Sequence, residues 1–443
     1  MTSGASRFSA LAILLVGSIV LTSAQSQPGG GARSQAAGAP TFAKDVAPIF
    51  YKHCTTCHRP GEIAPMSLLT YEEARPWARS IRDKVSTGAM PPWHADPKYG
   101  KWLNDRRLSE QEKSVITQWA AAGAPEGDPK DLPAKPVYAE GWAIGQPDVV
   151  YTMATDYNVP AQGEIPYQYF EVATNLTEDK WVEAVEIRAG NRSVVHHVLV
   201  YARYPGMSPR SPAFRPANPP GPMPPGLENR SGQSSGQRRG PLFAQTAPGT
   251  PPTILPAGSA LLLKAGTVLT FLIHYTTNGT AATDRSSIGV KFAKQPPVSE
   301  VRAAAMMNPR FMIPAGADNH AVESGLEFLE DVTIYGFVPH THLRGKSWEY
   351  RLNYPDGRSE ILLAVPKYDF NWQTEYVFAT PLRVPKGATL KAVAHYDNSK
   401  ANKANPDPTK DVYWGDQTWE EMQYTGINFS IDKERVTTTS SGQ

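Results

Sequence analysis

The sequence predicts a multidomain protein, a small all-α unit followed by two antiparallel, jelly-roll-like β-sandwiches, and three observations carry that expectation. Between Thr41 and Asp128 apolar residues recur at helical spacing. From about Val137 the texture changes to short β-branched and aromatic runs bounded by Gly, Pro, Asn and Asp. An internal echo then sets "GTVLTFLIHY", residues 266–275, against "GATLKAVAHY", residues 387–396, as G-x-x-L-x-x-x-x-H-Y without a gap. Two β-domains of common plan explain such an echo, with chance in a Thr/Val/Tyr-rich chain as the alternative. At 443 residues the chain is also too long for one ordinary core.

Taken in order, residues 1–24 have the form of a secretory leader: one Arg, an apolar run from Ala10 to Leu21, and small residues suited to cleavage near Ala24. The run is too short to span a bilayer comfortably, an uncleaved anchor being the alternative, and nothing later is apolar for long enough to span. The expectation is an exported, soluble protein, periplasmic or extracellular. Residues 25–40 read as a Gly/Ala/Ser linker. The helical unit covers 41–128, and its last helix carries Ser109 as N-cap, Glu112 three residues on and Gly123 as a stop. A Pro-rich linker follows at 129–137. The two β-domains cover 138–297 and 298–435, with a tail at 436–443. A Pro-, Gly- and Ser-rich excursion at 205–258 interrupts the first and is expected to be mobile and to supply no core, its Arg238 and Arg239 being solvated charge.

A formal net charge of +2, from 44 basic and 42 acidic residues, gives no global field toward nucleic acid or an anionic membrane. Cysteine usage says more. Cys54 and Cys57, in "IFYKHCTTCHRPG", are the only two cysteines of the chain, so an exported protein forgoes structural disulfides. C-x-x-C-H is the pattern in which two thiols form thioethers to haem vinyl groups and the next imidazole, His58, ligates the iron. A thioredoxin-type dithiol wants a different fold, and half of a zinc site wants two more ligands. Met90, in "TGAMPPWH", suits the distal position on a proline-stiffened loop. Met66 would have to double back sharply, and His94 reads as a surface residue. Together with "FAKDVAPIFYKHCTTCH" and "LSEQEKSVITQWAAAGAP", these residues resemble the mono-haem cytochrome c family over 41–128. That resemblance implies electron transfer and maturation outside the cytoplasm.

Histidines concentrate in the β runs. His340 and His342, at i and i+2, leave one face of a strand and can share a metal. His196 and His197 point to opposite faces of a regular strand, so they can share an ion only at a bulge or strand end. With His274 they form a recurring paired pattern. Three imidazoles suit zinc or copper, and a thioether would favour Cu(I). Met422, taken alone, reads as core.

"SVVHHVLVY", "FLIHYTTNG", "FVPHTHLRGK" and "HYDNS...WGDQTWEEM", in that order over about 138–432, are similar to the copper type II, ascorbate-dependent monooxygenases, the family of peptidylglycine and dopamine hydroxylating enzymes. The resemblance implies two copper ions, one in each sandwich. The electron-receiving copper would take His196, His197 and His274, and the oxygen-activating copper His340, His342 and Met422, the latter within T-x-x-E-M. His395 falls outside both sets. Where the peptidylglycine branch has an Arg that grips the substrate carboxylate, this chain has Val338. The expected function is hydroxylation of a substrate C–H bond with O2, electrons coming from the covalent haem c or from ascorbate. The substrate, small molecule or peptide, and the haem's redox partner are not readable, and "KYDFNWQTEY" either lines a pocket or packs. The alternatives are a non-enzymatic copper and haem electron carrier, or a ligand-binding β-part whose cytochrome reports redox state.

Overall fold

Ser109 Oγ accepts the Glu112 N–H at 3.1 Å while the Glu112 carboxylate accepts the Ser109 N–H at 2.8 Å. This capping box starts the helix Glu110–Ala121. Thr70 and Glu73 close a second box at Tyr71–Ala74. The computed structural model describes residues 38–433 except 61, 63, 139–140, 207–212, 218–223 and 225–239. The expected leader, most of the linker at 25–40, the tail at 436–443, and Arg238 and Arg239 lie outside the described residues.

The expected fold class needs correction. The first segment is not a self-contained all-α domain. The described residues hold four α-helices, Ala47–His53, Tyr71–Ala74, Ala78–Ser86 and Glu110–Ala121, and otherwise mostly β-structure. The helices bury a small cluster around Phe42, Phe50, Ile116 and Trp119. Between Ser86 and Ser109 there is no helix, and that stretch gives its large side chains to the β-part. Trp93 and Trp102 belong to the same core as Phe337 and Tyr376. Trp102 forms a β-bridge with Phe378 and stacks on its ring at 4.9 Å between centroids. The Asp96 and Leu103 amides donate to Ala364 O and Val377 O, both at 2.8 Å. Four short helices cannot cover two tryptophans that fall outside helical spacing, so these rings seek apolar surface on the sheet. The described residues from Pro40 onward form one compact unit.

The β-part also differs from two separate antiparallel sandwiches. A nine-stranded sheet runs through both expected domains. Its join is the strand Ser299–Met307, which pairs parallel with Ser259–Leu263 and antiparallel with Tyr424–Ile431. Facing sheets have four and five strands. The four-stranded one runs Gln168–Ala173, Val268–Tyr275, Val195–Arg203, Leu242–Thr246. The five-stranded one ends on Phe214–Pro216. Both Leu242–Thr246 and Phe214–Pro216 come from the 205–258 excursion, whose described parts therefore build sheet and bury Ala213 and Phe243. The echoed segments become the equivalent strands Val268–Tyr275 and Thr389–Tyr396. Each is entered through a glycine in the left-handed region, Gly266 at φ +71° and Gly387 at +83°.

Trp102 is only 6% exposed, so Trp102→Ala should cost about 3–5 kcal/mol. Because that ring ties the helical segment to the sheet, limited proteolysis should cut within 86–109 well before the β-part. Cleavage no faster than in the parent would show that other contacts hold the segment. No helix among the described residues is long and apolar enough to cross a membrane.

Candidate metal centre

His197 and His274 face each other on neighbouring strands, and the next pair in register is Tyr275 with Val195. His196 is thus the extra residue of a β-bulge. A bulge re-aims a side chain that the pleat would send to the other face, and here it brings His196 Nδ1 to 3.0 Å from His197 Nδ1. Ligand atoms of His196, His197 and His274 all lie within 4.8 Å of one another. His196 Nε2, His197 Nε2 and His274 Nδ1 are buried without a hydrogen-bond partner. Orphaned nitrogens of this kind are costly unless a ligand takes them.

His340 and His342 meet by a different route from the expected strand face. The strand Val332–His340 ends at the first, and His342 lies on the turn beyond it. Their rings stand 5.1 Å apart and nearly perpendicular, at 88°. The turn is held by Glu421, fully buried, whose carboxylate accepts the His342 N–H at 2.7 Å, the Arg344 N–H at 2.6 Å and the Met422 N–H at 3.3 Å. Burial pushes Glu421 up to about 7 against the pull of these amides. His342 donates from Nδ1 to Glu420 O at 3.1 Å, which leaves Nε2 buried, unpartnered and open to a metal. Opposite, His340 pairs with Tyr424 and Val338 with Gly426. Beyond the strand end, the His342 and Met422 amides donate to the same Glu421 oxygen, Oε2. The Tyr396 hydroxyl donates to Met422 O at 2.6 Å and pins the backbone there.

Residues that sequence reasoning left aside join the two sets. His340 donates from Nδ1 to Gln373 Oε1 at 2.7 Å, and Gln373 Nε2 lies 3.5 Å from His197 Nδ1. The Phe370 ring stacks on His196 at 5.4 Å and lies 6.1 Å from His342. The Tyr167 ring touches His197, His274 and His342 at 5.5, 5.1 and 6.3 Å. Phe370 and Gln373 sit in the aromatic run "KYDFNWQTEY", whose apolar content was the one signal of a role. Glu421 stood within T-x-x-E-M. Tyr167 carried no signal. Burial holds the imidazoles neutral, the form that binds metals: it pushes His196 down to about 4, His274 to about 3 and His340 to about 4, and keeps His197 and His342 well below the usual range.

Cys54, Cys57 and His58 lie on the wall of a cavity of about 1370 Å³ that also takes in Met66, Met90, His196 and His197. This cavity is partly open to the surface rather than an enclosed void. It has room for solvent or for a large group. His58 donates from Nδ1 to Met66 O at 3.2 Å, leaving Nε2 free. Met66 is thereby tied to His58, while Met90 reaches the cavity from the loop after helix Ala78–Ser86. His94 does not line the cavity and lies by Asp369. Burial pushes the Cys54 thiol up to about 12 and raises Cys57 also, the latter against Arg106, Arg59 and Arg192. Protonated thiols are poor nucleophiles, which argues against a thioredoxin-type pair. Among the described residues neither belongs to a group of three or more converging His, Cys, Asp or Glu ligands, which argues against zinc.

No family model matches this chain, and no curated protein matches it. Among solved structures it is similar to "Structure of infectious bursal disease virus Gx strain", at 7% identity and a TM-score of 0.19 over 65% of this chain and 73% of that one. A likeness so slight carries no argument.

His395 stands apart from both sets, paired with Ala321 and Ser347 on neighbouring strands. Its echo partner His274 is a site residue, so the two equivalent strands have diverged in use. Val338 is 7% exposed and offers no charge for a carboxylate.

Proposed function

We propose that this chain is a haem-linked copper monooxygenase. The observation that carries the reading is a single cavity with Cys54, Cys57 and His58 on one wall and His196 and His197 on another. A haem bound there would lie against the ligands of the first copper, and proximity within one chain removes the need to find a donor by diffusion. The residues suit both groups. Cys54 and Cys57 would anchor the porphyrin, and His58 and Met90 would ligate its iron. Three imidazoles at one set, and two with the soft Met422 at the other, suit copper.

When bound, the haem supplies one-electron transfer and the copper ions supply O2 chemistry at a substrate C–H bond. The chain's part is to keep its imidazoles neutral, fix their orientation through Glu421, Gln373 and Glu420 O, and exclude water by burial. With Val338 in place of a cation, a substrate without a free carboxylate fits better than a peptide C-terminus. Ascorbate is then dispensable as reductant, and location outside the cytoplasm follows from haem attachment.

A second reading, a non-enzymatic electron carrier, is favoured by one observation: His342 is fully buried and His340 only 8% exposed, which leaves little access for substrate. Protein made in a host that matures c-type haem decides between them. The expected result is one haem and two copper ions per chain, with O2 uptake after haem reduction and without ascorbate. Full loading with no O2 uptake under either reductant would leave the carrier.

A further inference from the structure

The resemblance implies one copper in each of two sandwiches, yet the five imidazoles form one cluster. His197 and His340, from different sets, have ring centroids 6.5 Å apart at 80°. Gln373 bridges them, accepting from His340 at 2.7 Å and approaching His197 Nδ1 at 3.5 Å. Thr418, four residues before Met422, places its hydroxyl 3.5 Å from His274 Nε2. The Tyr167 N–H donates to Gln417 Oε1 at 3.1 Å, tying the first set's aromatic wall to the loop that carries Met422. Polar contacts thus cross between the sets at three places, and Gln373 is 7% exposed. Two independent sites would need none of them, and burying an amide is unfavourable unless both its ends are used.

We propose that His196, His197, His274, His340 and His342 build a single binuclear centre in which Gln373 is the positioning residue that couples the two ligand sets. The inference rests on the copper reading above. It departs from one ion per sandwich, since each set's ligand orientation depends on the other through one amide. The side chain reaches both sets in a fold whose halves share one nine-stranded sheet through the Ser299–Met307 strand.

The holoprotein, loaded with Cu(II) and checked at two copper ions per chain by metal analysis, is read by electron paramagnetic resonance. The expected spectrum shows a half-field transition, and its copper intensity integrates to clearly fewer than two spins. Gln373→Leu should keep two ions but weaken the half-field signal several-fold, and Gln373→Glu, which keeps a group able to accept from His340, should restore part of it. Two isolated signals integrating to two spins, with no half-field transition, would overturn the binuclear centre and leave the copper reading standing. So would a half-field signal indifferent to Gln373→Leu, as regards the coupling role. Fewer than two bound ions would overturn both.

Discussion

Met422→Leu should lower copper content from two ions toward one per chain when the protein is loaded as Cu(I), and should abolish O2 uptake by the reduced protein. Leucine has nearly the volume of methionine, so the exchange should cost under about 1.5 kcal/mol in packing. What disappears is the soft thioether, the feature that favours Cu(I) over harder ions at a two-imidazole set. The set His196, His197 and His274 keeps all its ligands, so one copper and the haem should remain. Equal copper content and equal O2 uptake in the variant and the parent would remove Met422 from the site. Glu421→Gln is the companion measurement. It leaves one oxygen to accept the amides of His342 and Arg344, now 2.7 and 2.6 Å from the carboxylate. Copper affinity at the same set should fall about 10–100-fold, as is usual when an orienting partner of a ligand is altered.

The double variant Cys54→Ser, Cys57→Ser should lose covalent haem completely, read as the absence of haem-dependent peroxidase stain on a denaturing gel. Cys54 and Cys57 are the only cysteines of the chain and lie with His58 in one five-residue stretch, so no other part of the chain can supply the thiols. The cavity of about 1370 Å³ would then hold only solvent or loosely bound haem. Copper should still bind, because the histidine sets lie on strands that the change leaves untouched. Electron delivery from haem should stop, and O2 uptake should then depend on added ascorbate. Uptake that runs at the parent's rate without ascorbate would show that haem does not feed the copper.

Some of this centre is written locally. The C-x-x-C-H segment is short, and its chemistry depends on neighbours in sequence. The histidine pairs are likewise adjacent, and the strand pleat alone implies that His196 and His197 need a bulge to share an ion. The residues that join the sets are not local: Gln373 lies 176 positions from His197. A lone glutamine in an aromatic run has the same appearance whether it packs or bridges. The same holds for Arg106 and Arg192, ordinary surface cations in sequence until the fold sets both near Cys57.

Local pattern therefore singled out the candidate groups, two thiols, six imidazoles including His58, and the two methionines Met90 and Met422, together with the change from helical to strand texture near residue 137. Only the tertiary structure decided how those pieces combine. Trp93 and Trp102 dock the helical segment on the sheet, the strand Ser299–Met307 merges two expected sandwiches, and a shared cavity joins the C-x-x-C-H wall to His196 and His197. The physical reason is range: covalent spacing and strand periodicity act over a few residues, whereas burial of large apolar rings and satisfaction of buried amides are settled by whatever the rest of the chain brings near.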